Sequence, residues 1–105
     1  MATAPAASTT KFIQREPETG FITIEATADL FGTARLGWFT IIVGGIDQQI
    51  FLYNGFPNAG IEDRVRITYD PNVPDELQGP KGTAGYMTGV IVSMEVIGKG
   101  SATPR

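Results

Sequence analysis

Apolar and polar residues alternate with a period of two along five separate stretches of the chain, and no stretch carries a convincing helical period. The clearest is residues 21–31, where Ile22, Ile24, Ala26, Ala28 and Leu30 share one face and Thr23, Glu25, Thr27 and Asp29 the other. Phe31-Gly32-Thr33-Ala34 reads as a turn. A second strand is predicted over 36–43, with Phe39, Ile41 and Val43 on one face and Trp38, Thr40 and Ile42 on the other. Gly44-Gly45-Ile46-Asp47 then supplies a hairpin turn, Gly providing the positive φ that tight hairpins need. In the third strand, residues 48–54, Ile50 and Leu52 alternate with Gln49, Phe51 and Tyr53, and these last three are read as facing outward. The fourth, 63–70, points Val65, Ile67 and Tyr69 inward and Arg64, Arg66 and Thr68 outward.

The fifth stretch, residues 86–97, is the longest apolar and β-branched run, and the other strands are expected to pair around it. Thr88, Val90, Val92, Met94 and Val96 fall on one face; Gly89, inside the run, marks a bulge or sharp bend. Ile24, Ile67, Val90 and Val92 are the expected core. A charge at Val92 is therefore expected to unfold the domain.

Between these strands, residues 54–60 are a loop, and residues 71–85 hold three prolines and three glycines without periodicity. Such a long loop in a small domain tends to be functional or to pack on a neighbour. A short helical turn at Asp75-Glu76-Leu77-Gln78 is the only helix expected. The predicted architecture is all-β: a small five-stranded barrel or a small β-sandwich, since five short strands need closure or a second layer to bury their apolar faces.

Three segments follow from composition: an extended N-terminal arm (1–19), the β domain (20–98) and a tail (99–105). The arm is rich in Ala, Thr and Ser and buries too little apolar surface to offset an ordering cost of roughly 1–2 kcal/mol per residue. It is therefore expected to be held by a neighbouring subunit, with its only large apolar residues, Phe12 and Ile13, as anchors. Its removal is expected to leave the domain folded. The first residues lack the charged start and apolar middle of a secretory signal, so classical secretion is not expected.

At 105 residues there is room for one core. The chain has no Cys and no His, which removes thiolate chemistry, the usual general base and the commonest metal ligand. Gly79-Pro80-Lys81-Gly82-Thr83 has fragments of a phosphate loop without its spacing, and Asp70, Asn72, Asp75 and Glu76 lack the Gly and final acid of a calcium loop. No catalytic residue, metal or other cofactor is expected, and the protein is read as a non-enzyme. The net charge of −3 argues mildly against a surface built to grip phosphates. What remains is aromatic: Trp38, Phe51 and Tyr53 on an outer face, flanked by Arg64 and Arg66. Such a set suits a protein interface, or stacking of single-stranded nucleic acid.

The strand order resembles the OB-fold of single-stranded-DNA-binding and primosomal proteins. The resemblance runs from Gly20-Phe21-Ile22-Thr23-Ile24-Glu25-Ala26, through the Trp38 hairpin and Ile61-Glu62-Asp63-Arg64-Val65-Arg66-Ile67, to Met94-Glu95-Val96-Ile97. It implies a five-stranded OB barrel and a nucleic-acid-binding activity. Two features depart from that family: no helix is legible between the third and fourth strands, and its acidic tip is replaced by Thr103-Pro104-Arg105. Two functions are thus expected in parallel. One is a structural protein repeated in a larger particle, such as a viral capsid-decorating or tail component, with other protein subunits as partners. The other is a single-stranded nucleic acid binder. The corresponding locations are virion or cytoplasm, without a membrane partner.

Overall fold

The computed structural model describes residues 10–33, 37–55, 57–83 and 86–99. It is an all-β chain of six strands among those residues: β1 (Lys11–Arg15), β2 (Ile22–Thr33), β3 (Trp38–Val43), β4 (Gln49–Asn54), β5 (Arg64–Asp70) and β6 (Gly89–Gly98). Two short 3-10 turns, Gly45–Asp47 and Asp75–Leu77, accompany them. The second falls where a helical turn is expected. The tail beyond Lys99 and the first nine residues of the arm lie outside the described residues.

The organising strand is β2, not the apolar run at 86–97. It has twelve residues, running through the turn predicted at Phe31, and it pairs with three partners. Along one edge Ile22 to Thr27 pair antiparallel with Tyr69 to Arg64 of β5. The other edge is shared end to end. Residues Ala28 to Thr33 take β3, and Ile22 to Glu25 take β1. The handover is tight. Gly44, at φ 102°, turns the chain away as its N–H donates to the Thr27 carbonyl, and Thr10 arrives with its N–H on the Asp47 carboxylate at 3.2 Å. A Cβ on Gly44 would stand 2.8 Å from Thr10 Oγ1 and 2.9 Å from the Asp47 carbonyl oxygen, so both space and backbone conformation require glycine.

The strands join in the order β1-β2-β3-β4-β6-β5, and β5 pairs back to β2, so five of them form a ring of hydrogen bonds. Its weakest link is the parallel pair β4–β6, which spans only Phe51↔Gly89 and Leu52↔Val90. Inside lie Ile22, Ile24, Ala26, Ile41, Val43, Phe51, Val65, Ile67, Tyr69 and Ile91. Val65, Ile67 and Tyr69 point inward as expected, and so do Ile24, Ile41 and Val43.

Four bulges among the described residues explain where parity counting goes astray. Each inserts one residue that has no opposite number and flips the facing of the residues after it. On β2 the register skips Asp29, so Leu30 turns out and Phe31 turns in. On β6 it skips Val92: Tyr69 faces Ile91 and Thr68 faces Ser93. Val92 is consequently 52% exposed and Ile91 enters the core, which reverses the expectation for Val92; Val90 is half-buried. A second β6 bulge leaves out Ile97, and one on β1 leaves out Ile13.

The N-terminal segment is also corrected in part. Lys11–Arg15, expected to be held by a neighbouring subunit and not by its own domain, pairs as a strand with the chain's own β2, and the connection is closed by Glu16 N–H to the Phe21 carbonyl and Gly20 N–H to the Glu16 carbonyl, both 2.8 Å. Short runs of few apolar residues still pair when an adjacent strand offers an open edge. All five residues of β1 remain exposed.

Gly89 marks a close approach. A Cβ there would overlap the Tyr69 ring and lie 2.8 Å from the Asp70 carbonyl oxygen. Gly89→Val should therefore destabilise the domain by about 1–3 kcal/mol, as overpacking does, visible as a lower urea midpoint with the slope unchanged.

Tyr69 has a pH consequence. Burial raises its phenol pKa above the ordinary 10.0, with the Arg15 charge pulling the other way. A raised folded pKa stabilises the neutral form. The contribution is complete below the unfolded tyrosine value of about 10 and disappears as pH rises through the folded value. Tyr69→Phe should flatten the loss of stability above pH ~10, checked by thermal melts across that range.

Candidate functional site

The predicted aromatic face depends on how β3 and β4 are registered. Residues 44–48 connect them through the 3-10 turn, and Val43 pairs with Gln49. Every later pair follows: Ile41 opposite Phe51, Phe39 opposite Tyr53, Trp38 opposite Asn54. Paired residues share a face. Phe51 and Tyr53 therefore lie with Ile41 and Phe39, toward the interior, and Trp38 lies on the other side with Thr40 and Leu52. The outward reading of Phe51 is overturned. It is fully buried, its ring 4.7 Å from that of Tyr69 and tilted by 53°. Tyr53 is half-buried against the core, and Trp38 is half-buried. Leu52, on Trp38's side, is fully buried although it lies outside the main core cluster.

The two arginines are on β5, whose ladders run to β2 and β6 and not to β3 or β4. Arg66 sits between two acids: its Nη2 is 2.9 Å from Glu25 Oε2 and its Nη1 3.4 Å from Glu95 Oε1. These are cross-strand neighbours, since Arg66 pairs with Glu25 on one side and Glu95 on the other. Arg64 donates to Thr27 Oγ1 at 3.2 Å and to the Glu25 carbonyl at 3.4 Å. The Arg66 charge is thus matched by carboxylates, while Arg64 is held by a hydroxyl and a backbone carbonyl. Pairs that keep one partner in solvent, as Arg66 does here, contribute only about 1 kcal/mol. Arg66→Ala should accordingly shift the midpoint of a melt by no more than a few degrees.

Other candidate positions are engaged locally. Asp70 Oδ1 accepts from the Asn72 N–H at 3.0 Å and its side-chain amide at 3.2 Å, closing a turn on itself. Among the described residues, no group of three acids, His or Cys is placed to hold a metal ion. Asp63 is buried, accepts from the Gly60 N–H at 2.8 Å and has Lys99 Nζ at 3.7 Å, so it clamps the loop before β5. The long connection from β5 to β6 is tied down by Gln78, which donates to the Met87 carbonyl and accepts from the Met87 N–H, and by Thr88 N–H to the Ile50 carbonyl.

The alternation pattern gives no sign of a further feature, a set of open strand edges. β1 has no ladder partner on its outer side among the described residues, and β6 has none on the β4 side beyond Val90. Of the exposed large apolar residues on the described strands, four lie on these two: Phe12 (63%) and Ile13 on β1, Val92 and Ile97 (37%) on β6; Leu30 is on β2. Ile13, Val92 and Ile97 are the residues that three of the bulges leave out of register. Phe12 and Ile13, expected as anchors, are both exposed. The six-stranded, ring-forming all-β chain finds no match among protein-family models, curated proteins or solved structures.

Proposed function

We propose that this chain is a non-catalytic assembly protein, a small β domain repeated in a larger particle, with a virion component such as a capsid-decorating or tail protein as its context. The observation that carries this reading is the coincidence of exposed apolar side chains with strand edges on β1 and β6 that have no ladder partner among the described residues. Unpaired edges template pairing with another chain, and proteins that do not use them usually blunt them. The test is particle mass by sedimentation equilibrium at tens of micromolar protein. Multiples of the 11.2 kDa chain are expected; a monomer throughout would contradict it.

One observation favours a second reading. The cyclic order β2-β3-β4-β6-β5, with its barely closed β4–β6 seam, supports a five-stranded, partly open OB-like barrel to which β1 is appended. Such barrels bind oligonucleotides on the face of their second and third strands and in the loops beside it. Trp38 lies on the corresponding strand pair, and the connection from β5 to β6 is the corresponding loop. Under this reading, Trp38 fluorescence is quenched by single-stranded DNA, and binding weakens steeply between low and moderate salt. The pairing of Arg66 with two carboxylates and the burial of Phe51 count against this second reading.

A further inference from the structure

The two edges that stand open among the described residues differ in charge. β1 carries Lys11 and Arg15 and no acid; β6 carries no base and Glu95, which stays 65% exposed although it shares Arg66 with Glu25. Between the cations of β1 stand Phe12 and Ile13, and on either side of Glu95 stand Val92 and Ile97, all four exposed. Lysine and arginine alone would read as edge protection. A 63% exposed phenylalanine between them does not serve that purpose.

We propose that β1 of one copy adds as a strand to the open edge of β6, residues 91–98, in a second copy of the chain. This rests on the assembly reading and names its interface. Strand addition satisfies the free backbone groups of both edges, and the alternating side chains select the partner. Like-with-like pairing is disfavoured on both sides. An antiparallel β1–β1 pair sets Lys11 against the other copy's Arg15, and an antiparallel β6–β6 pair centred on residue 95 sets glutamate against glutamate; like charges directly opposite are destabilising. A β1–β6 contact is head-to-tail, so it propagates into a ring or a filament and does not stop at a dimer.

The chain has no cysteine, which makes the test clean. Full-length Phe12→Cys is mixed in turn with full-length Val92→Cys and Ile97→Cys, covering two registers, and oxidised gently. All three side chains are exposed, so the variants keep the wild-type melt. Expected is a disulfide-linked species in at least one mixture of β1 with β6 variants, and little in Phe12→Cys alone or in either β6 variant alone. A disulfide needs Cα atoms within about 7 Å, so the product reports adjacency. If wild-type protein is multimeric but only same-strand products form, or no product forms in either mixture, the β1–β6 interface is wrong while the assembly reading stands. If the wild-type protein is monomeric, both fall.

Discussion

Phe51→Ala will lower the unfolding free energy by about 3–5 kcal/mol. The ring is fully buried on β4, opposite Ile41 and packed against Tyr69, with no solvent-facing side into which neighbours could relax. Its removal leaves a cavity at the weakest seam of the ring of strands, where β4 and β6 share only two residue pairs. For a marginally stable domain of this size that is a large share of the total. Urea denaturation followed by Trp38 fluorescence measures it. A loss below about 1 kcal/mol would mean that Phe51 is at the surface, since surface substitutions seldom exceed half that value.

The second large effect is a contrast between neighbours. Ile91→Asp should abolish folding or cost more than about 3 kcal/mol, because it buries an unpaired carboxylate in the core cluster. Val92→Asp, one residue on, should cost under about 1 kcal/mol, because the bulge turns residue 92 to solvent. Counting by twos along the strand predicts the reverse. Thermal melts of the two variants decide between them.

That contrast also shows what could be read from the sequence. The strands read at 36–43, 48–54 and 63–70 were legible because alternation and the turn at Gly44 point the same way; the one read at 21–31 was legible from alternation, although its expected end at Phe31-Gly32 is strand. The inward residues of β5 were legible because nothing interrupts its register with β2. Bulges were not, because an extra residue such as Asp29, Val92 or Ile97 has no local signature; it is fixed by what the partner strand presents. The facing of Phe51 depended on pairing across residues 44–48, and once Val43 is set against Gln49 the ring has no choice but the interior. β1 was hidden for a different reason. Lys-Phe-Ile-Gln-Arg is too short and too polar to announce a strand, and only the edge of β2 left vacant beyond β3 makes it one. The open edges, on which the assembly proposal rests, are products of topology and have no counterpart in composition or motif.

The sharpest test of edge-to-edge assembly is amide hydrogen exchange at two protein concentrations, because it reads the edges themselves in the unmodified chain. Amides of residues 11–15 and 91–98 that point away from β2 and β5 should exchange rapidly in dilute solution and slow markedly as concentration rises, while the β2–β5 ladder stays protected at both. Exchange at those edges that is equally fast at both concentrations would contradict assembly through them.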